Sequence, residues 1–180
     1  MPVFARAKMM IHDDCLALAP PGTPYITLDY SGPNPQNIYK KIRELFTSIW
    51  KVGESEIREK EVSWNRTTAT EKFRVKFEVV KDMDTFSFML ITVDLEGEAK
   101  HSRQFGKEGT AKVRIEAVLR TEYPQDTLWQ RSLLYEMFRT FYHKLIYEDT
   151  RKKYLRQCRE EALRMQEELK SFLNLLPKSV

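Results

Sequence analysis

Cysteine, histidine and glycine are all scarce in this chain. Cys15 and Cys158 are its two cysteines, too few for a disulfide framework or a four-cysteine zinc site. Their scarcity points to a reducing, cytoplasmic setting. The histidines are His12, His101 and His143. His12-Asp13-Asp14-Cys15 puts four ligand-type residues in a row, but neighbours on an extended strand point to opposite faces. A mononuclear metal site draws its ligands from several elements, so the run reads as a polar turn after a strand. No metal and no cofactor is expected. With 6 Gly and 8 Pro in 180 residues, the chain is neither low-complexity nor collagen-like. No stretch approaches the ~18 apolar residues of a membrane span. The start of the chain also lacks the uninterrupted apolar segment of a signal peptide.

Motifs of known chemistry are missing as well. There is no nucleophile elbow, no phosphate-cradling glycine loop and no zinc-protease helix motif. Cys158 lies near Arg156 and Arg159, which would lower a thiol pKa, but no histidine is near it in sequence. It reads as a small packing residue, and no catalytic residue is assigned. Charge of one sign is lacking too: 30 Lys and Arg stand against 26 Asp and Glu, a net charge of +4. The densest basic cluster, Arg151-Lys152-Lys153-Arg156-Arg159, is followed closely by Glu160, Glu161, Glu167 and Glu168. That mixture describes a solvated helix face better than a nucleic-acid footprint.

What the chain has is pattern, over a length that suits one domain. Val3 to Ile11 is an ambiguous strand, and Pro20-Pro21-Gly22 breaks the chain after it. Tyr25 to Tyr30 alternates as a strand. Asn34 then serves as a helix N-cap with Pro35 in the first turn. Ile38, Ile42, Leu45, Phe46, Ile49 and Trp50 follow the helical period, and Gly53 ends the helix. Glu54 to Trp64 is charged enough for an edge strand. Lys72 to Lys81 places Phe73, Val75, Phe77 and Val79 on one face. Asp82-Met83-Asp84 turns the chain back into Thr85 to Glu96. That strand is apolar on both faces, with Phe86, Phe88 and Leu90 on one and Met89, Ile91, Val93 and Leu95 on the other. Residues 97–109 read as a loop, and Thr110 to Glu122 as a further strand. A sheet covered by helices on one side leaves Met89, Ile91, Val93 and Leu95 facing water and in need of a cover, either the N-terminal segment or a second subunit.

After Asp126 or Thr127, either of which can cap a helix, no Gly or Pro occurs until about Leu176. Leu134, Phe138, Phe141 and Leu145 form one stripe. Leu155, Ala162, Leu169, Phe172 and Leu176 resume at heptad-like spacing. Fifty helical residues would span about 75 Å, so the helix either breaks near Asp149-Thr150 or projects outward.

Strands of ten or more residues twist and curl, and an amphipathic helix fills the concave face. The predicted fold is α+β: a curved antiparallel sheet packed against a long C-terminal helix, with a helix after the first strand. This order of elements, over residues 24–147, resembles the helix-grip fold of the START-like (Bet v 1-like, SRPBCC) superfamily. That family carries two short helices after its first strand, where this chain has one longer helix. The resemblance implies a cavity between sheet and helix that holds an apolar small molecule or lipid. Its candidate lining is Phe73, Phe77, Phe86, Phe88, Thr92, Trp129, Phe138, Phe141 and Tyr142. The same aromatics could instead fill a solid core.

The expected organisation is an N-terminal segment over 1–23, an α+β core over 24–147 and a helical extension over 148–180. Two functions follow, beside a third and lesser one, an enzyme that uses an enclosed pocket without a recognisable motif. One is a non-enzymatic binding module with an apolar ligand in the cavity. The alternative is a structural, protein-interaction or ribonucleoprotein-associated protein with a solid core. In it the helix bearing Leu155, Ala162, Leu169, Phe172 and Leu176 docks on a protein partner or on a second copy of the chain.

Overall fold

The computed structural model describes residues 10–17, 23–66, 70–102, 106–123, 127 and 129–174. The expectations for Val3 to Met9, Pro20-Pro21-Gly22, Asp126 and Leu176 lie outside the described residues. The fold is α+β. Among the described residues six antiparallel strands form one open sheet: β1 (Met10–Asp14), β2 (Tyr25–Pro33), β3 (Arg58–Asn65), β4 (Thr70–Asp82), β5 (Ser87–Ser102) and β6 (Gly106–Glu122). The order across it is β1-β6-β5-β4-β3, and β2 also pairs with β6. Met10 to Asp14 and Tyr25 to Pro33 therefore line the same edge, one beyond the other along β6. Helix α1 (Asn37–Ser48) links that edge to β3 at the opposite one.

Alternation along the long strands builds one inner face. Phe77 sits across from Val93, and Val93 across from Ile115; Val75, Leu95 and Val113 form the next row. All six are fully buried. Ile38, Ile42, Leu45 and Phe46 of α1 pack into the same core. Asn34 does not cap this helix. It takes a left-handed backbone, with φ of 52°, in the turn before it, and the N-cap is Gln36. Gly53 is not the C-terminal stop either; it heads the short 3-10 turn Glu54–Glu56.

Strand β5 corrects the sequence reading of its faces. Met89, Ile91, Val93 and Leu95 are the inner residues and are fully buried, covered by α1 and the C-terminal helix. Phe88 and Leu90 face outward and are half-buried. Residues 97–109 are also not simply a loop, because β5 runs on to Ser102 and β6 begins at Gly106. Gly97 and Gly109 have packing reasons, whereas Gly106 takes a φ of 75° where β6 begins. A Cβ at Gly97 would lie 2.4 Å from the Phe73 ring, and one at Gly109 would lie 1.9 Å from the Glu98 carbonyl oxygen.

The C-terminal helix runs from α2 (Leu133–Tyr142) through a π-helical turn (His143–Tyr147) into α3 (Glu148–Phe172). It does not break at Asp149-Thr150. Cys158, Ala162, Met165 and Leu169 of α3 are fully buried in the core. The Trp50 indole N–H lies 3.4 Å from Met165 Sδ. Lys81 Nζ donates to both oxygens of Glu161 at 2.8 Å. The division at residue 147 is thus corrected: residues 148–172 complete the core instead of extending from it. Cys158 is also more than a packing residue, since it forms a disulfide with Cys15 across a Cα–Cα distance of 5.9 Å. That pairing removes the argument from scarce cysteine to a reducing compartment.

Candidate docking surface on the C-terminal helix

The nine residues predicted to line a pocket do not converge on one space. Phe73 and Phe77 are buried in the core. Phe73 stacks on Trp64 with ring centroids 5.4 Å apart, and Phe77 meets Phe46 at 6.0 Å. Phe88 and Thr92 belong to the opposite face of the sheet. Phe86, in the β4–β5 turn, packs on Tyr123 at 5.0 Å. Trp129, Phe138, Phe141 and Tyr142 are exposed. Alternation reverses faces at every residue, so Phe86 and Phe88 cannot share the inner face with Met89. The space between sheet and α3 is occupied by Phe46, Trp50, Phe77, Met89 and Met165, all fully buried.

The helix expected to dock is likewise used inside the chain. Ala162 and Leu169 are fully buried, and Leu155 packs against the core. Phe172 is partly exposed with Lys41 Nζ 5.9 Å above its ring. Among the described residues, exposed apolar side chains are concentrated on the other half of the helix. Phe138 is 68% exposed and Leu145 is 76% exposed, and Leu133, Leu134, Met137, Phe141 and Ile146 are exposed beside them.

The π-helical turn explains the exchange. Each residue advances an α-helix by about 100°. Two positions separated by four heptad half-steps, such as Phe141 and Leu155, would therefore face nearly the same way in an unbroken α-helix. A π-turn inserts about one extra residue, which rotates the two stripes by about 100° relative to each other. With α3 turned to the sheet, the stripe of α2 turns to solvent.

The side of α2 facing the protein is polar and aromatic. Ser132 caps the helix by accepting the Tyr135 backbone N–H at 3.2 Å. Thr127, read as a possible cap, accepts the Gln130 backbone N–H and so caps the short 3-10 turn Trp129–Arg131 ahead of α2. Arg139 is 3% exposed and pairs with Glu136; its guanidinium lies 5.9 Å from the centroid of the Tyr123 ring. His143 Nδ1 is 2.8 Å from Tyr123 Oη. Tyr147 Oη lies 2.7 Å from Ser87 Oγ and donates to Asp84 at 2.8 Å. Ser87 Oγ is also 2.8 Å from Thr121 Oγ1. Arg151 of α3 pairs with Asp13 of β1.

This network shifts its titrating groups. Burial pushes Tyr123 up to about 12 and raises Tyr147 as well. Burial also raises the Asp84 carboxyl, but hydrogen bonds from the Phe86 N–H, Tyr147, the Ser87 N–H and Tyr154 outweigh it and hold the group below the ordinary carboxylate range. Burial, and then the Arg151 charge, lower His143. The cluster is a clasp that seats the start of the helix on the sheet end. Its tyrosines, Asp84, Ser87, Thr121 and His143 are hydrogen-bonded among themselves, in the manner of a structural network, while Arg139 Nε and Nη1 and Glu136 Oε2 are buried without a hydrogen-bond partner among the described residues.

Among the described residues there is no cluster of three metal-ligating side chains and no helix long and apolar enough to cross a membrane. Beside Phe141 the exposed side of the helix carries a notch of about 300 Å³ lined by Thr140, Phe141, Lys144 and Leu145. The outer sheet face holds a broad open depression of about 800 Å³, crossed by charge pairs such as Arg74–Glu96 at 3.1 Å. The sequence signal for the exposed surface was present in Leu134, Phe138, Phe141 and Leu145. Nothing in their spacing tells a stripe that packs from one that projects.

No family model matches the chain, and no curated protein matches it. A solved structure of a protein of unknown function from Staphylococcus aureus aligns over 91% of this chain and 98% of its own, at 9% identity and a TM-score of 0.26.

Proposed function

We propose that this protein is a non-enzymatic interaction module whose working surface is the apolar face of α2 and the adjoining π-helical turn. The observation that carries the reading is an inside-out helix: its charged residues Glu136 and Arg139 turn toward the protein while Leu134, Phe138, Phe141 and Leu145 face solvent. Exposed apolar patches on monomers rarely exceed a few hundred Å². Scaled by the ~150–250 Å² of an aromatic side chain, this face amounts to on the order of 1,000 Å². Burying it in a partner is its most direct use. The filled space beneath α3 favours this reading over an apolar ligand held between sheet and helix.

Oxidative footprinting of Met137 and Phe138 tests it. In the source cells these side chains should be labelled several-fold less than in the isolated protein at high dilution. Equal labelling in both settings would overturn the docking role.

A further inference from the structure

We propose that the occupant of this face is a second copy of the chain. Two α2 helices pair antiparallel about a two-fold axis, and Phe138 of each copy enters the notch beside Phe141 and Leu145 of the other. The inference rests on the docking reading above and names its partner.

Three observations point to self-pairing. The first is area. An exposed face on the order of 1,000 Å² per chain is large enough to supply the ~800 Å² that each partner buries in a standard interface. The second is charge. Among the described side chains from 133 to 146, Lys144 is the one exposed charge. A surface so nearly neutral meets its own copy without repulsion, as homodimer interfaces do. A membrane-surface helix would instead flank its apolar face with several basic residues.

The third is shape. Leu134, Phe138, Phe141 and Leu145 are spaced four, three and four, the spacing that sets knobs into holes. Phe138 is a protruding ring, 68% exposed, and the notch of about 300 Å³ is a hole on the same helix face. With the two-fold axis beside Phe141, position 138 of one chain lies across from 144 and 145 of the other. One symmetric contact therefore fills both notches, as an isologous interface requires.

The full chain is to be weighed by light scattering and native mass spectrometry over a wide concentration range, beside Phe138→Glu and Phe141→Glu. The wild type should run at twice 21.4 kDa. Either variant should weaken association by about 30-fold or more, the effect of a central hot spot. Both should keep the wild-type circular dichroism and melting temperature, because neither side chain belongs to the core. A photo-crosslinking amino acid at position 138 should link to residues 140–145 of the other copy, and a link elsewhere would overturn the proposed pairing. A wild type that stays monomeric overturns self-pairing and leaves the docking reading to the footprinting test. A monomer that binds vesicles of anionic phospholipid likewise overturns it and assigns the face to a lipid surface. A dimer indifferent to both substitutions overturns both readings, since association would then use another surface.

Discussion

Tyr147 belongs to the clasp that seats the helix on the sheet. It is buried and bonded to Ser87 and Asp84. Tyr147→Phe leaves those partners short of a hydroxyl and should cost about 1–3 kcal/mol in denaturant unfolding. A loss under about 0.5 kcal/mol would show that the network adds little. The lowered His143 and Asp84 act in one direction. The unfolded chain binds more protons than the folded one, so their contribution is complete above the unfolded pKa and is lost as pH falls through the folded value. Stability should therefore decline below the ordinary histidine value of 6.5 and again below the aspartate value of 3.8. His143→Gln should flatten the first decline and leave the second; unchanged pH profiles would refute the assignment. Gly97 illustrates a residue that pattern reading misplaces. It punctuates the sequence like a loop glycine, yet its role is to leave room for the ring of Phe73, its partner on the neighbouring strand.

At the scale of elements, β4 and α1 are the best-read parts of the chain. Phe73, Val75, Phe77 and Val79 have one strand period, and Ile38 to Phe46 has one helical period, and each run meets a single environment. Strand β5 is harder, because apolar residues on both faces give no sign of which is inner. The C-terminal helix is hardest. Its two stripes share one heptad register in sequence, and a π-helical turn with no sequence signature separates them in space. Deleting Lys144 from that turn should restore α-helical phase and swing the α2 stripe by about 100°. Association and binding of a hydrophobic dye should both fall while β-sheet circular dichroism persists. A deletion variant that associates like wild type would disprove the phase argument.

For the whole molecule, the decisive contrast is which half of the C-terminal helix is structural. Removing residues 148–180 withdraws Cys158, Ala162, Met165 and Leu169 from the core and should abolish cooperative unfolding. A truncated chain that melts cooperatively would restore the boundary at 147. The Cys15–Cys158 disulfide joins the end of β1 to α3 across a sequence separation of 143. Closing so long a loop should contribute about 5 kcal/mol through the unfolded state. Cys15→Ser and reduction of the wild type should lower the melting temperature alike, and a reductant should then leave Cys15→Ser unchanged.

Period and order of the elements were determined by the sequence alone: α1, the edge position of the charged β3, the β4–β5 turn, and an antiparallel sheet followed by a long helix without Gly or Pro. These depend on local chemistry, on alternation, charge and turn residues, which each segment carries with it. Tertiary structure decided the rest: which face of β5 is inner, that Cys15 meets Cys158, and that the apolar stripe of α3 faces the sheet while that of α2 faces solvent. Of the helix that runs from 133 to 172, α3 packs on the inner sheet face beside α1 while the apolar stripe of α2 stays exposed. Two apolar stripes compete for that face, and the π-helical turn allows one at a time to face the sheet.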